Sequence, residues 1–180
     1  HIYVFSIKKL MKSKKNLVFL GMMGSGKSSI GYLVAKKLKL DFVDIDKEIE
    51  NKFRTSIKKI FENKGEIYFR KIEEQTTLKK LKLNSSVISL GGGAFMNKCI
   101  RQEVIKSHLS FWLNCESKVL LGRLKNSKKR PLTIGISDDE LIDLIKKRSN
   151  TYSKALYEIK CDNLTKSQIV NNIVKIYETN

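Results

Sequence analysis

Residues Gly21-Met22-Met23-Gly24-Ser25-Gly26-Lys27-Ser28 place glycine, four residues, then glycine-lysine-serine, a spacing whose residue types divide the work of holding a polyphosphate. Glycines let successive backbone N–H groups turn inward with no side chain in the way. A helix that begins near Lys27 points its positive end at the same spot. Lys27 then reaches the terminal phosphates as a point charge, and the Ser28 hydroxyl stands where a Mg²⁺ shared with those phosphates needs an oxygen. Ser29 opens the helix surface just beyond and is counted with the nucleotide-binding residues. The expected ligand is a nucleoside triphosphate.

Two further clusters carry chemistry. Asp44 and Asp46 flank Ile45 at the end of an apolar run, and Gly91-Gly92-Gly93 interrupts the run Val87-Ile88-Ser89-Leu90. Both belong where an open parallel sheet gathers functional groups, at strand carboxyl ends beside the phosphate loop. If strand geometry persists, the two carboxylates share a face. One would then help to hold Mg²⁺ or its waters while the other accepts a hydrogen bond from a substrate hydroxyl. The alternative is that Asp46 caps the helix expected over 47–53. Three successive glycines bring bare backbone close to a ligand. The polar position of this strand is Ser89, where many phosphate-loop proteins have an aspartate, so Asp44 is the better metal candidate. Arg70 and Glu74, four apart, read either as a surface pair or as a carboxylate that orients a guanidinium.

These residues need a frame, and the hydrophobic pattern supplies one. Apolar runs at 17–20, 42–45, 87–90, 109–115 and 157–161 read as strands. Between them lie helical patterns, the first with Ile30, Leu33, Val34 and Leu38 on one face and another closed by Gly65 before a longer helix from Glu66 to about Leu83. Asn97 and Ser137-Asp138-Asp139-Glu140 are helix-start signals, and 165–177 closes the chain with Ile169, Val170, Ile173 and Ile176 inward. Five strands alternating with helices predict an α/β fold, a parallel sheet covered on both faces. The polar stretch 125–135 contains the chain's single proline and reads as a flap.

The 180 residues suffice for one domain with a sizeable core, and 41% hydrophobic with 30% charged residues is ordinary for a soluble protein. Residues 1–10 read as an extension, upstream or non-native, ahead of a single domain over 11–180. No apolar run approaches the roughly 18 residues a membrane helix needs. Cys99, Cys115 and Cys161, an odd number at wide spacing, read as reduced core thiols in a cytoplasmic protein. The formal charge of +18 raises nucleic acid as a partner. However, only six of the 36 basic residues are arginine, and the lysines are scattered along helix surfaces. That pattern argues for solvated faces and a field that draws in anionic substrates.

The ordered set Gly21 to Ser28, Asp44-Ile45-Asp46, Phe69-Arg70 with Glu73 and Glu74, Gly91-Gly92-Gly93, Arg130-Pro131-Leu132 and Arg148 with Tyr152 resembles shikimate kinase over nearly all of residues 15–178. The resemblance implies a three-layer phosphate-loop fold of the nucleoside-monophosphate-kinase type, with five parallel strands in the order 2-3-1-4-5. It implies transfer of the γ-phosphoryl group of ATP to the 3-hydroxyl of shikimate, with Mg²⁺, in a monomer that needs neither nucleic acid nor membrane. Carried over by position, Lys27, Asp46 and Arg130 are catalytic. Asp46 binds ring hydroxyls as candidate base, and Arg130 descends with a lid over about 123–136 onto the phosphoryl group. Arg70 and Arg148 clamp the carboxylate, with Gly91, Gly92 and Gly93 lining the cup within and beyond a substrate segment of about 44–75. Arg123 lies against adenine, and Ser28 with Asp44 serves the metal. A planar guanidinium grips a carboxylate through two parallel bonds where lysine offers a point charge. The family usually has a proline before this tyrosine, and Ser149-Asn150-Thr151 predicts a continuous helix instead. Rival readings are a kinase for gluconate or a nucleoside monophosphate on the same fold, and a nucleic-acid-binding ATPase.

Overall fold

The computed structural model describes residues 15–125 and 136–180. Strands β1 (Leu17–Leu20), β2 (Asp41–Asp44), β3 (Ser86–Ser89), β4 (Leu109–Asn114) and β5 (Tyr157–Lys160) form one parallel sheet in the order β2-β3-β1-β4-β5. This is the expected order. The helices are α1 (Lys27–Leu38), α2 (Ile45–Phe53), α3 (Ile57–Leu81), α4 (Lys98–Ser107), α5 (Ser117–Lys125), α6 (Asp138–Tyr152) and α7 (Lys166–Thr179). A single 3₁₀ turn, Ala94–Met96, follows the glycine run.

β1 is the central strand, and all four of its residues are inaccessible to solvent. Its alternation sends Leu17 and Phe19 to the face covered by α1 and α7, where Ile30, Val34, Ile169 and Ile173 meet them. Val18 and Leu20 face the other layer, built from α2 through α6. The register sets Asp44 beside Ser89 and Ser89 beside Phe19. The carboxyl ends of β1, β2 and β3 therefore finish at one edge, and the loops that leave them share one crevice.

Four local expectations change. β2 stops at Asp44, because its side chain accepts a hydrogen bond from the Lys47 amide at 3.2 Å and so caps α2. Asp46 lies within the first turn of the helix instead of capping it, and the strand alternation with Asp44 is lost. Leu33 is surface, whereas Gly31 faces the sheet because Phe42 would stand 2.8 Å from any Cβ there. Cys99 is exposed on α4, while Cys115 is buried and Cys161 half-buried, all three as free thiols. Gly65 does close one helical segment, as expected. Its φ of 80° and ψ of 170° break α3, a conformation side chains disfavour, and Phe61 and Phe69 pack across the break with ring centroids 4.6 Å apart.

Candidate active site

The phosphate loop joins β1 to α1. Gly26 precedes the helix with φ 95°, and no side chain caps α1. By contrast, α2, α3, α4, α6 and α7 are each capped by Asp44, Ser56, Asn97, Ser137 and Thr165. A helix start left without a side-chain cap offers its amides to an anion. The Lys27 ammonium folds back over the loop, donating to the carbonyls of Gly21 at 3.0 Å and Met22 at 2.9 Å. It thus lies above the cradle that the amides form. Ser25 Oγ is buried with no protein partner, an orphaned polar atom of the kind a bound ligand satisfies. Arg123 of α5 donates to the Gly24 carbonyl at 2.9 Å, which sets its guanidinium on the rim of the loop.

Ser28 and Asp44 line the same cavity of about 320 Å³ with Asp46, Arg70, Glu73, Gly92 and Gly93. Among the described residues no group of three His, Cys, Asp or Glu side chains could hold a metal by itself. A hydroxyl and a carboxylate beside a phosphate cradle nevertheless fit Mg²⁺, which takes few protein oxygens and completes its shell with phosphates and water.

The other wall of the cavity comes from four separate segments. Arg70 on α3 pairs with Glu73 at 2.7 Å and with Glu66 at 3.2 Å, and its guanidinium rests 5.3 Å from the Phe69 ring. Burial pulls the Arg70 pKa down, but Glu73 and then Glu66 more than offset it, so the group stays above its ordinary value. Burial pushes the Glu73 carboxyl up against the opposing pull of Arg70 and, more weakly, of Arg148. The expected partner, Glu74, points elsewhere and accepts from the Asn97 side chain. Glu73 is the partner of Arg70 that spacing alone passed over. It lies three residues from Arg70, on the buried side of the helix.

Each glycine of the run makes room for a different neighbour. A Cβ on Gly91 would stand 2.6 Å from Glu73 Oε1 and 2.7 Å from Asp46 Oδ1. On Gly92 it would meet the Met23 amide nitrogen of the phosphate loop at 3.2 Å, and on Gly93 the Arg70 guanidinium at 2.6 Å. The glycines are required by close approach, for none of the three has a positive φ. Arg148, buried on α6, reaches Gly92 from the opposite side, with Nη1 3.4 Å from its carbonyl oxygen and 3.8 Å from Met22 Sδ. The helix runs unbroken through Ser149-Asn150-Thr151, and this straight course brings the guanidinium against the glycine turn.

The structure gathers Ser28, Asp44, Asp46, Arg70, Gly92 and Gly93 around one cavity, with Lys27 bonded to the phosphate loop beside it and Arg148 reaching the Gly92 carbonyl. Arg130, most of the lid segment and residues 1–10 lie outside the described residues. The model of the shikimate kinase family matches residues 23–178. The chain belongs to that family. It is 40% identical to the shikimate kinase of Sulfurihydrogenibium sp. (strain YO3AOP1) over 160 residues, 89% of this chain and 96% of the relative. It is 38% identical to that of Thermodesulfovibrio yellowstonii over 165 residues, 91% and 95% of the two chains. Among solved structures, shikimate kinase from Acinetobacter baumannii in complex with shikimate superposes with a TM-score of 0.88 at 28% identity, covering 95% of this chain and 97% of that one. The protein is an ATP-dependent kinase of the phosphate-loop class.

Proposed function

We propose that this chain transfers the γ-phosphoryl group of ATP to the 3-hydroxyl of shikimate, and that the crevice between the phosphate loop and the Gly91–Gly93 turn is where it does so. The observation that carries the reading is the convergence of Arg70, Arg148 and Asp46 on a single glycine turn that also packs against Met23 of the phosphate loop. Two guanidinium groups suit one carboxylate, and a carboxylate opposite them suits a hydroxyl. The turn fixes the distance between the acid-binding end and the phosphate end.

In this reading the amides of residues 21–29 and Lys27 hold and neutralise the triphosphate. Ser28 and Asp44 hold Mg²⁺ or its waters, and bound there it supplies positive charge to the terminal phosphates. Asp46 orients the acceptor hydroxyl and takes its proton. Arg70 and Arg148 bind the carboxylate, with the Gly92 and Gly93 amides beside them. Arg123 flanks adenine. Arg130 comes with a lid of about 123–136 to the transferring group, and the substrate segment is about 44–75. Positioning and charge neutralisation then account for most of the acceleration.

The scheme needs no residue from a second chain, and we take the protein to act as a monomer. Three free thiols support a reducing, cytoplasmic setting. Among the described residues no helix is long and apolar enough to cross a membrane. Scattered lysines leave nucleic acid out of the scheme.

A coupled ADP-release assay with shikimate, gluconate and nucleoside monophosphates tests the assignment. Turnover on shikimate alone is expected. Turnover on a nucleotide or gluconate in its place would reject it.

A further inference from the structure

Tyr152 takes no part in the scheme above, yet it is bound into the substrate cup. It is 1% exposed, and its hydroxyl donates to the Gly92 carbonyl, the same oxygen that Arg148 Nη1 approaches at 3.4 Å. Arg148 and Tyr152 are four residues apart on α6 and share one helix face. The ring is fixed against Trp112, with centroids 6.1 Å apart. Two donors therefore face one carbonyl. The hydroxyl bonds it, and the guanidinium stands off at the limit of hydrogen-bonding distance.

We propose that Tyr152 is a positioning residue for shikimate: its hydroxyl occupies the Gly92 carbonyl, which keeps Arg148 available to the substrate acid and holds the Gly92–Gly93 amides toward the cup. The inference rests on the assignment of Arg148 and these glycines to the substrate. Without the hydroxyl, the Gly92 carbonyl has Arg148 as its remaining side-chain donor. The guanidinium closes on it, and the incoming carboxylate must then displace an internal bond. ATP should feel less of this competition, because its loop meets this corner through Met23 packed on Gly92 and through Met22 Sδ, 3.8 Å from Arg148 Nη1. Burial raises the phenol's pKa to about 12 against the opposing pull of Arg148, which sits close enough to bond its oxygen, and the hydroxyl stays a donor at any working pH.

Steady-state kinetics on Tyr152→Phe, Arg148→Ala and the double variant test this, with a variant carrying 4-aminophenylalanine at position 152 to return an N–H donor on the same ring. Removing the hydroxyl should raise the shikimate KM by about 2- to 10-fold, the span of one net hydrogen bond. The ATP KM and kcat should stay within about twofold by the same reasoning. The aminophenylalanine should restore the shikimate KM, and in the Arg148→Ala background the Phe substitution should add little, as expected for coupled neighbours. An unchanged shikimate KM, an equal loss for both substrates, a Phe variant that fails to fold, or no rescue by the amine would each overturn the proposal. The Arg148→Ala arm separates the two readings. Were its shikimate KM normal, the substrate assignment itself would fail, whereas a raised KM there with a normal one in Tyr152→Phe would reject only the positioning role.

Discussion

The two halves of the crevice are built on opposite plans. In the proposed site the phosphate half is one contiguous loop whose binding groups are backbone amides, with a helix start kept clear of side-chain caps and the Lys27 ammonium folded over it. The proposed acid half is drawn from α2, α3, the glycine turn and α6, and most of its binding groups are side chains held by one another and by the turn. A phosphate carries the same charge in every nucleotide, so a generic cradle suffices. An acid with one reacting hydroxyl must be held in a single orientation, which takes groups from several directions. Substitutions in the first half should therefore strike turnover, and substitutions in the second should strike shikimate recognition and be non-additive.

The largest effect expected is in the phosphate half. In the proposed scheme Lys27→Ala removes a charge beside the transferring group, and kcat should fall by roughly 10³-fold with the fold retained. A circular-dichroism melt beside the ADP assay checks both parts, and an unfolded variant would assign Lys27 to the scaffold. Next comes Asp46→Asn, which keeps the shape and removes the base. A loss of about 10²–10⁴ in kcat is the usual worth of such a group. Retention of activity would turn Asp46 into a mere neighbour of Gly91.

Arg70→Lys sharpens the contrast from the other side. Exchanging a two-pronged grip for a point charge should raise the shikimate KM by roughly 10-fold or more while sparing ATP. Equal loss for both substrates would make Arg70 structural, a post its bonds to Glu66 and Glu73 would also explain.

The smallest effect is on stability. Glu73 titrates above its ordinary 4.5 in the folded chain, burial being the main cause. Between 4.5 and that raised value the native state keeps a proton that the unfolded chain has released, so Glu73 lowers stability as pH rises through this window. Glu73→Gln removes that contribution. The difference in unfolding free energy, variant minus parent, should therefore climb with pH across the window and level off above it. Denaturant melts from pH 4 to 8 measure it, and a flat difference would mean that Arg70 fully compensates the burial.

The contrast also explains what the sequence disclosed. A cradle made of consecutive residues leaves its pattern in consecutive letters, so Gly21 to Ser28 could be read directly, as could the strand and helix on either side. The strand order of the sheet came through the family resemblance, and the glycine run announced a close approach. It did not tell what approaches. Gly91, Gly92 and Gly93 yield to two carboxylates, the phosphate loop and a guanidinium respectively, partners 18 to 69 residues away that only the assembled fold brings in. Glu73 and Glu74 stand next to each other on a helix, where about 100° of rotation decides which one meets Arg70. Asp44 and Asp46 looked equivalent while β2 was free to continue. The Asp44 cap ended the strand one residue earlier and gave the two carboxylates different posts.

A crystal structure of the chain with ADP and shikimate bound together is the most direct measurement. The shikimate carboxylate should lie between Arg70 and Arg148, with its 3-hydroxyl on Asp46 and facing the end of the diphosphate. Shikimate bound with its carboxylate away from both arginines, or with Asp46 turned out of the crevice, would contradict the proposed site.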